Sequence, residues 1–129
     1  AVQEGAYRPD RTAMPFVEFT IEAHIAQARR RLRQLAEAAA RWAFLERLVE
    51  ERGWPDRLVI ALEQSLFQGT DRARYADEAD VSAPTASNDL RRLLDAGLIG
   101  RQGRGRATRY VASARLVEEV RRQLLGSYS

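Results

Sequence analysis

The sequence contains no cysteine and no lysine, and its only histidine is His24. Without cysteine there are no disulfides, no thiolate metal sites and no cysteine nucleophile, and a reducing cytoplasm suits such a chain. One histidine cannot supply the several converging ligands of a zinc site, so neither metal nor cofactor is expected. No apolar run approaches the ~20 residues of a membrane span. The N-terminus shows no basic-then-apolar leader. Phosphate-cradling patterns of the types G-x-x-x-x-G-K-[ST] and G-x-G-x-x-G are missing too. Ser82, Ser87 and Ser113 have no evident base partner. The acidic groups Glu50-Glu51 and Asp77-Glu78-Asp80 read as solvated surface. An enzyme within these 129 residues is not expected.

What is present is helix and arginine. Neither glycine nor proline occurs across residues 16–52. Pro15 suits a first helical turn, and Gly53 and Pro55 supply a stop, so one long helix is expected over 15–52. Its apolar and small positions are Ile21, Ile25, Ala28, Leu32, Leu35, Ala39, Trp42, Leu45 and Val49. They follow spacings of 4, 3, 4, 3, 4, 3, 3 and 4. That is close to a heptad seam, which keeps a narrow stripe facing a partner helix. At ~1.5 Å per residue the helix would reach ~55 Å, longer than a small domain is wide. It therefore reads as a pairing arm, the partner being a second copy or another part of a parent protein. The alternative is two shorter helices folded back on each other, broken near Arg33 or Glu37. Residues 1–14 have no clear period and read as a loose lead-in. Beginning at Ala1, the chain looks like a piece of something longer.

From residue 55 the pattern is helix, helix, helix, hairpin, helix. The first covers 55–68, with Leu58, Val59, Leu62 and Leu66 on one face and Gly69 after it. Thr70 can cap a short second helix over 71–79, which turns Tyr75, Ala76 and Ala79 inward. Asp80-Val81 makes the turn. Ser82 caps the third, Pro84 sits in its first turn, and Gly97 provides a left-handed end after Ala96. Leu98-Ile99 opens a strand, residues 102–105 form a glycine-rich turn, and residues 107–111 return. Ser113 starts a last helix with Leu116, Val117, Val120 and Leu124 on one face. The fold class expected is mainly α: a winged helix-turn-helix over 54–112, preceded by the arm at 15–53 and followed by a helix and tail at 113–129.

This order suits duplex DNA. A helix with its side chains matches the ~12 Å major groove. In the helix at 83–96, Ala86, Leu90, Leu93 and Leu94 face a core. Pro84, Asn88, Arg91 and Arg92 lie opposite, flanked by Thr85 and Ser87. Small polar residues can approach base edges, asparagine can pair with adenine and arginine with guanine, and later arginines can reach phosphates. Across residues 91–109 six arginines (91, 92, 101, 104, 106 and 109) face one acid, Asp95. Arg101, Arg104, Arg106 and Arg109 stud the hairpin, where Gly103 and Gly105 allow a tight turn against a sugar-phosphate strand.

Residues 81–99 carry the skeleton V-S-x-x-T-A-x-x-D-L-x-x-L-x-x-x-G-L-I, which resembles the recognition segment of bacterial winged-helix regulators. With residues 103–111 it is similar to the C-terminal winged-helix domain appended to many Fic-family proteins, which transfer AMP from ATP to protein hydroxyls. Residues 15–28 resemble the last helix of a Fic core leading into its linker. The resemblance implies Thr85, Ser87, Asn88 and Arg91 as base-facing positions, the hairpin as wing, and an upstream Fic catalytic domain. The Fic loop's histidine, acid and G-N-G-R cradle have no counterpart here, and His24 sits in a helix without neighbouring glycines. Two function classes follow. One is a transcription-regulating module that binds duplex DNA as a homodimer through the helix at 15–52. The other is a protein-contact appendage of a Fic-type enzyme.

Overall fold

A computed structural model describes the backbone of residues 14–126 and the side chains from residue 20 to 126. The expected lead-in at 1–14 therefore lies almost wholly outside the described residues. Helix α1 runs without a break from Met14 to Glu51. The alternative of a chain folded back near Arg33 or Glu37 is not adopted. The chain divides into two compact units, Ala1–Glu37 and Ala38–Ser129.

In the first unit the described side chains belong to α1 alone, and every one from residue 21 to residue 36 is exposed, Ile21, Ile25, Leu32 and Leu35 included.

The second unit begins with the last turns of α1, where Leu45, Leu48 and Val49 recur at helical spacing and are buried. Gly53, at φ +69°, and the bond from Trp54 N–H to the Val49 carbonyl stop the helix. Residues 55–57 form a turn, and α2 then spans Leu58–Phe67, three residues later than the sequence pattern suggests. Leu58, Val59, Ala61, Leu62, Gln64 and Ser65 are all buried, so α2 is enclosed on most sides rather than on one face. The bidentate pairing of Arg41 with Glu63, at 2.9–3.1 Å, joins the end of α1 to α2.

Helix α3 spans Arg72–Ala79, and its cap is Asp71, not Thr70 as expected. The Asp71 carboxylate accepts from Arg74 N–H at 2.8 Å. Thr70 is instead fully buried: its hydroxyl donates to Gln64 Oε1 at 2.6 Å. Its backbone exchanges two hydrogen bonds with Tyr110, at 2.8 and 2.7 Å. With its hydroxyl given to Gln64 and its backbone to Tyr110, Thr70 leaves the cap to Asp71.

Asp80 takes the left-handed conformation at φ 54°, and the chain reverses into α4, Ala83–Asp95. The Ser82 hydroxyl accepts from Thr85 N–H at 3.3 Å, the cap expected there. At the far end Gly97 stands at φ +75°. Its N–H reaches the Leu94 carbonyl while Leu98 N–H reaches that of Leu93. This double closure satisfies carbonyls that a helix end leaves open, and buries Leu98 beneath it.

Strand β1 (Ile99–Gln102) pairs antiparallel with β2 (Arg109–Ala112), with Ile99 opposite Ala112 and Gln102 opposite Arg109. Between them Gly105–Ala107 makes one 3₁₀ turn, so Ala107 belongs to the wing tip and not to the returning strand. The Thr70–Tyr110 bridge adds a third short rung. Helix α5, Ala114–Gly126, is capped by Ser113, whose hydroxyl accepts from Leu116 N–H at 3.2 Å. Leu116 and Val120 are buried, but Val117, expected on the same face, is 42% exposed. The core formed by the last turns of α1 with α2, α3, α4, β1 and α5 takes in only part of that stripe. The fold is mainly α, a winged helix-turn-helix.

Candidate nucleic-acid interface

Helix α4 presents two unlike faces because its sequence repeats at helical period. Ala86, Leu90 and Leu93 are buried and Leu94 partly so. Pro84, Asn88, Arg91 and Arg92 are exposed on the other side, with Thr85 and Ser87 half-buried at its margins. The Ser82 hydroxyl donates to Thr85 Oγ1 at 3.0 Å, which leaves the Thr85 proton able to donate outward.

The wing lies against the same surface. A hollow of about 510 Å³ is lined by Ser87 from α4, by Arg101, Gly105, Arg106 and Thr108 from the wing, and by Asp71 and Arg72 from the start of α3. Arg91, Arg92, Arg101, Arg104 and Arg106 are exposed, and none makes a side-chain hydrogen bond or ion pair among the described residues. Arg109 differs from them. Its guanidinium donates to the Gln68 carbonyl at 2.7 Å, which fastens the foot of the wing to the end of α2.

Sequence reasoning missed three residues. Arg72 joins the hollow from α3, and only the packing of α3 beside the wing brings it there. The other two set the position of α4. Asp89 is 3% exposed, and its carboxylate accepts from Arg57 Nε at 2.7 Å, from Arg57 Nη2 at 3.1 Å and from the Tyr75 hydroxyl at 2.8 Å. One acid on α4 is thereby clamped from the start of α2 and the middle of α3. A signal was available: residues 86, 89, 90 and 93 fall at i, i+3, i+4 and i+7, so Asp89 lies within the apolar arc. An acid there needs a partner, since a buried unpaired carboxylate is costly.

Burial, reinforced by its bond to Asp89, holds the Tyr75 phenol well above its ordinary value of 10.0. The hydrogen bond to Asp89 likewise raises the Arg57 guanidinium. A tyrosine whose pKa is higher folded than unfolded stabilises fully below the unfolded value and loses that contribution as pH rises beyond it. We expect the denaturation midpoint to fall as pH rises above ~10. In Tyr75→Phe that part of the fall is absent, and the phenolate absorbance that appears at the highest pH disappears. A Tyr75→Phe variant with the parent's alkaline profile would contradict the placement.

Among the described residues no group of three or more acidic or histidine side chains is placed to hold a metal ion, and no helix is long and apolar enough to cross a membrane. No family model matches the chain, and no curated protein matches it. Some solved structures resemble parts of the chain. One is a protein of the thermoacidophilic archaeon Sulfolobus tokodaii, 26% identical, covering 57% of this chain and 76% of that one at a TM-score of 0.44. Another is Staphylococcus aureus MarR in complex with salicylate and kanamycin, 14% identical, covering 89% and 72% at 0.48. A third is a MarR-family transcriptional regulator of Silicibacter pomeroyi, 16% identical, covering 95% and 72% at 0.44. The Fic resemblance gains no support from these comparisons.

Proposed function

We propose that this chain binds duplex DNA and regulates transcription in the cytoplasm as a homodimer paired through the helix at 15–52. Helix α4 enters the major groove. Thr85, Ser87, Asn88 and Arg91 read base edges there, while Pro84 and Arg92 border the phosphates. The wing lays Arg101, Arg104 and Arg106 along the sugar-phosphate backbone, with Arg109 bracing its foot. The observation that carries the reading is the shared hollow: Ser87 of α4 meets Arg101 and Arg106 of the wing on one surface, and neither arginine has a partner among the described residues. Cations that form no ion pair among the described residues, beside the outward face of a groove-sized helix, match a polyanion. A dimer would set two such helices against half-sites about one helical turn apart.

A salt series on duplex DNA tests this. Each neutralised phosphate contributes ~0.9 to the slope of log affinity against log salt. Arg104→Ala together with Arg106→Ala should weaken binding on every sequence and reduce that slope by about 2. Asn88→Ala should relax base preference and leave nonspecific affinity largely intact. Equal effects from both changes would contradict this division. No binding at low salt, with pairing retained, favours the second class, a protein-contact appendage of a Fic-type parent. An H-x-F-x-[DE]-G-N-G-R motif encoded upstream would establish that parent.

A further inference from the structure

The pairing of copies through α1 has a direction that the proposed function leaves open, and the inference below rests on that pairing. Ile21 is 52% exposed, Ile25 45%, Leu32 67% and Leu35 67%. Together with Ala28 they form a seam at alternating spacings of four and three. Read as heptads, Ile25 and Leu32 take position a, and Ile21, Ala28 and Leu35 take position d. Glu22 and Arg29 then both occupy position e, directly beside the seam. Both are exposed, and neither has an ion-pair partner among the described residues.

We infer that two copies of this chain pair antiparallel along residues 21–32 of α1. Two features favour that direction. In an antiparallel pair position e flanks position e of the other helix, so Glu22 of each copy meets Arg29 of the other, twice by symmetry. The opposite flank sets Arg31 beside His24. In a parallel pair e flanks g, and Arg29 meets His24, with no attraction gained. Size points the same way. Parallel helices would stack Ala28 on Ala28 and leave a hollow layer. Antiparallel helices set Ile25 against Ala28, large against small, between outer layers of Ile21 against Leu32, which leaves no layer of alanine alone.

The absence of natural cysteine makes the test clean. In the full chain, Ile21→Cys with Leu32→Cys should give a covalent dimer under mild oxidation, and neither single variant should. In an antiparallel pair the two copies of residue 21 stand ~16 Å apart along the axis, as do those of residue 32, and a disulfide needs Cα atoms within ~7 Å. Glu22→Arg should weaken the dimer about tenfold by sedimentation, through two lost pairs and two repulsions, and adding Arg29→Glu should restore it. Cross-linking of both single variants, with no rescue by the charge swap, overturns the direction but leaves pairing through α1 intact. A chain that sediments as a monomer at all concentrations overturns both the direction and the pairing, whatever its behaviour with DNA.

Discussion

Asp89→Ala should lower stability by roughly 3 kcal/mol, a fall in Tm on the order of 10–20 °C for a unit of this size. The change removes one carboxylate and strands two donors. The Tyr75 ring is fully buried, so its hydroxyl loses its acceptor with no water to replace it. The Arg57 side chain is about a third exposed and recovers part of its loss by hydration, which keeps the figure at the low end for a broken buried pair. Asp89→Asn should cost less, because one acceptor oxygen remains for the Tyr75 hydroxyl. Tyr75→Phe alone should cost about 1 kcal/mol, and nearly nothing in the Asp89→Ala background, since the bond is already gone. Thermal melts of the four proteins make the cycle. An Asp89→Ala chain that melts with the parent would show that the clamp does not hold α4.

Gly103→Ala should lower DNA affinity about tenfold, equivalent to ~1.4 kcal/mol, while the core melts almost as before. Gly103 sits at φ +81°, where an L side chain is strained, and a Cβ built there would overlap the Ala107 carbonyl oxygen. The obstacle is backbone, so no side chain can swing aside and the 3₁₀ turn must be rebuilt. That turn carries Arg104 and Arg106. Residues 103–107 are exposed and lie outside the core, which explains why stability is spared. Gly105→Ala is the control. Its φ is +55°, but nothing lies within 4 Å of the added carbon, so only the left-handed penalty of ~1 kcal/mol applies. Its affinity should stay within about twofold of the parent. Equal losses from the two variants would mean that the position of the wing turn does not matter for binding.

The parts of this molecule that were legible beforehand are those governed by near neighbours. Ser82 and Ser113 announced helix starts because a cap is a bond from a backbone N–H three residues on to the side-chain oxygen. Gly97 announced an end because the left-handed turn there closes on Leu93 and Leu94. The two faces of α4 followed from the 3.6-residue period alone. The polar side of α4 and the arginine-bearing wing were likewise visible as composition and order.

Where reading failed, the partner lay far along the chain. Thr70 has the chemistry of a cap, and nothing local shows that Tyr110 will claim its backbone and Gln64 its hydroxyl. Arg109 looks like its neighbouring wing arginines until Gln68 accepts from it, 41 residues away. Val117 shares a stripe with Leu116 and Val120 but stays largely exposed.

The order of elements, their caps and the outward face of α4 were determined by the sequence itself, since each depends on contacts within about four residues. Only the tertiary structure decided that Asp89 would be clamped by Arg57 and Tyr75, and that Arg72 and Ser87 would meet the wing across one hollow. Those contacts join residues 14 to 36 positions apart, and in the clamp a desolvated charge is tolerable only when the packing of separate helices delivers its partners.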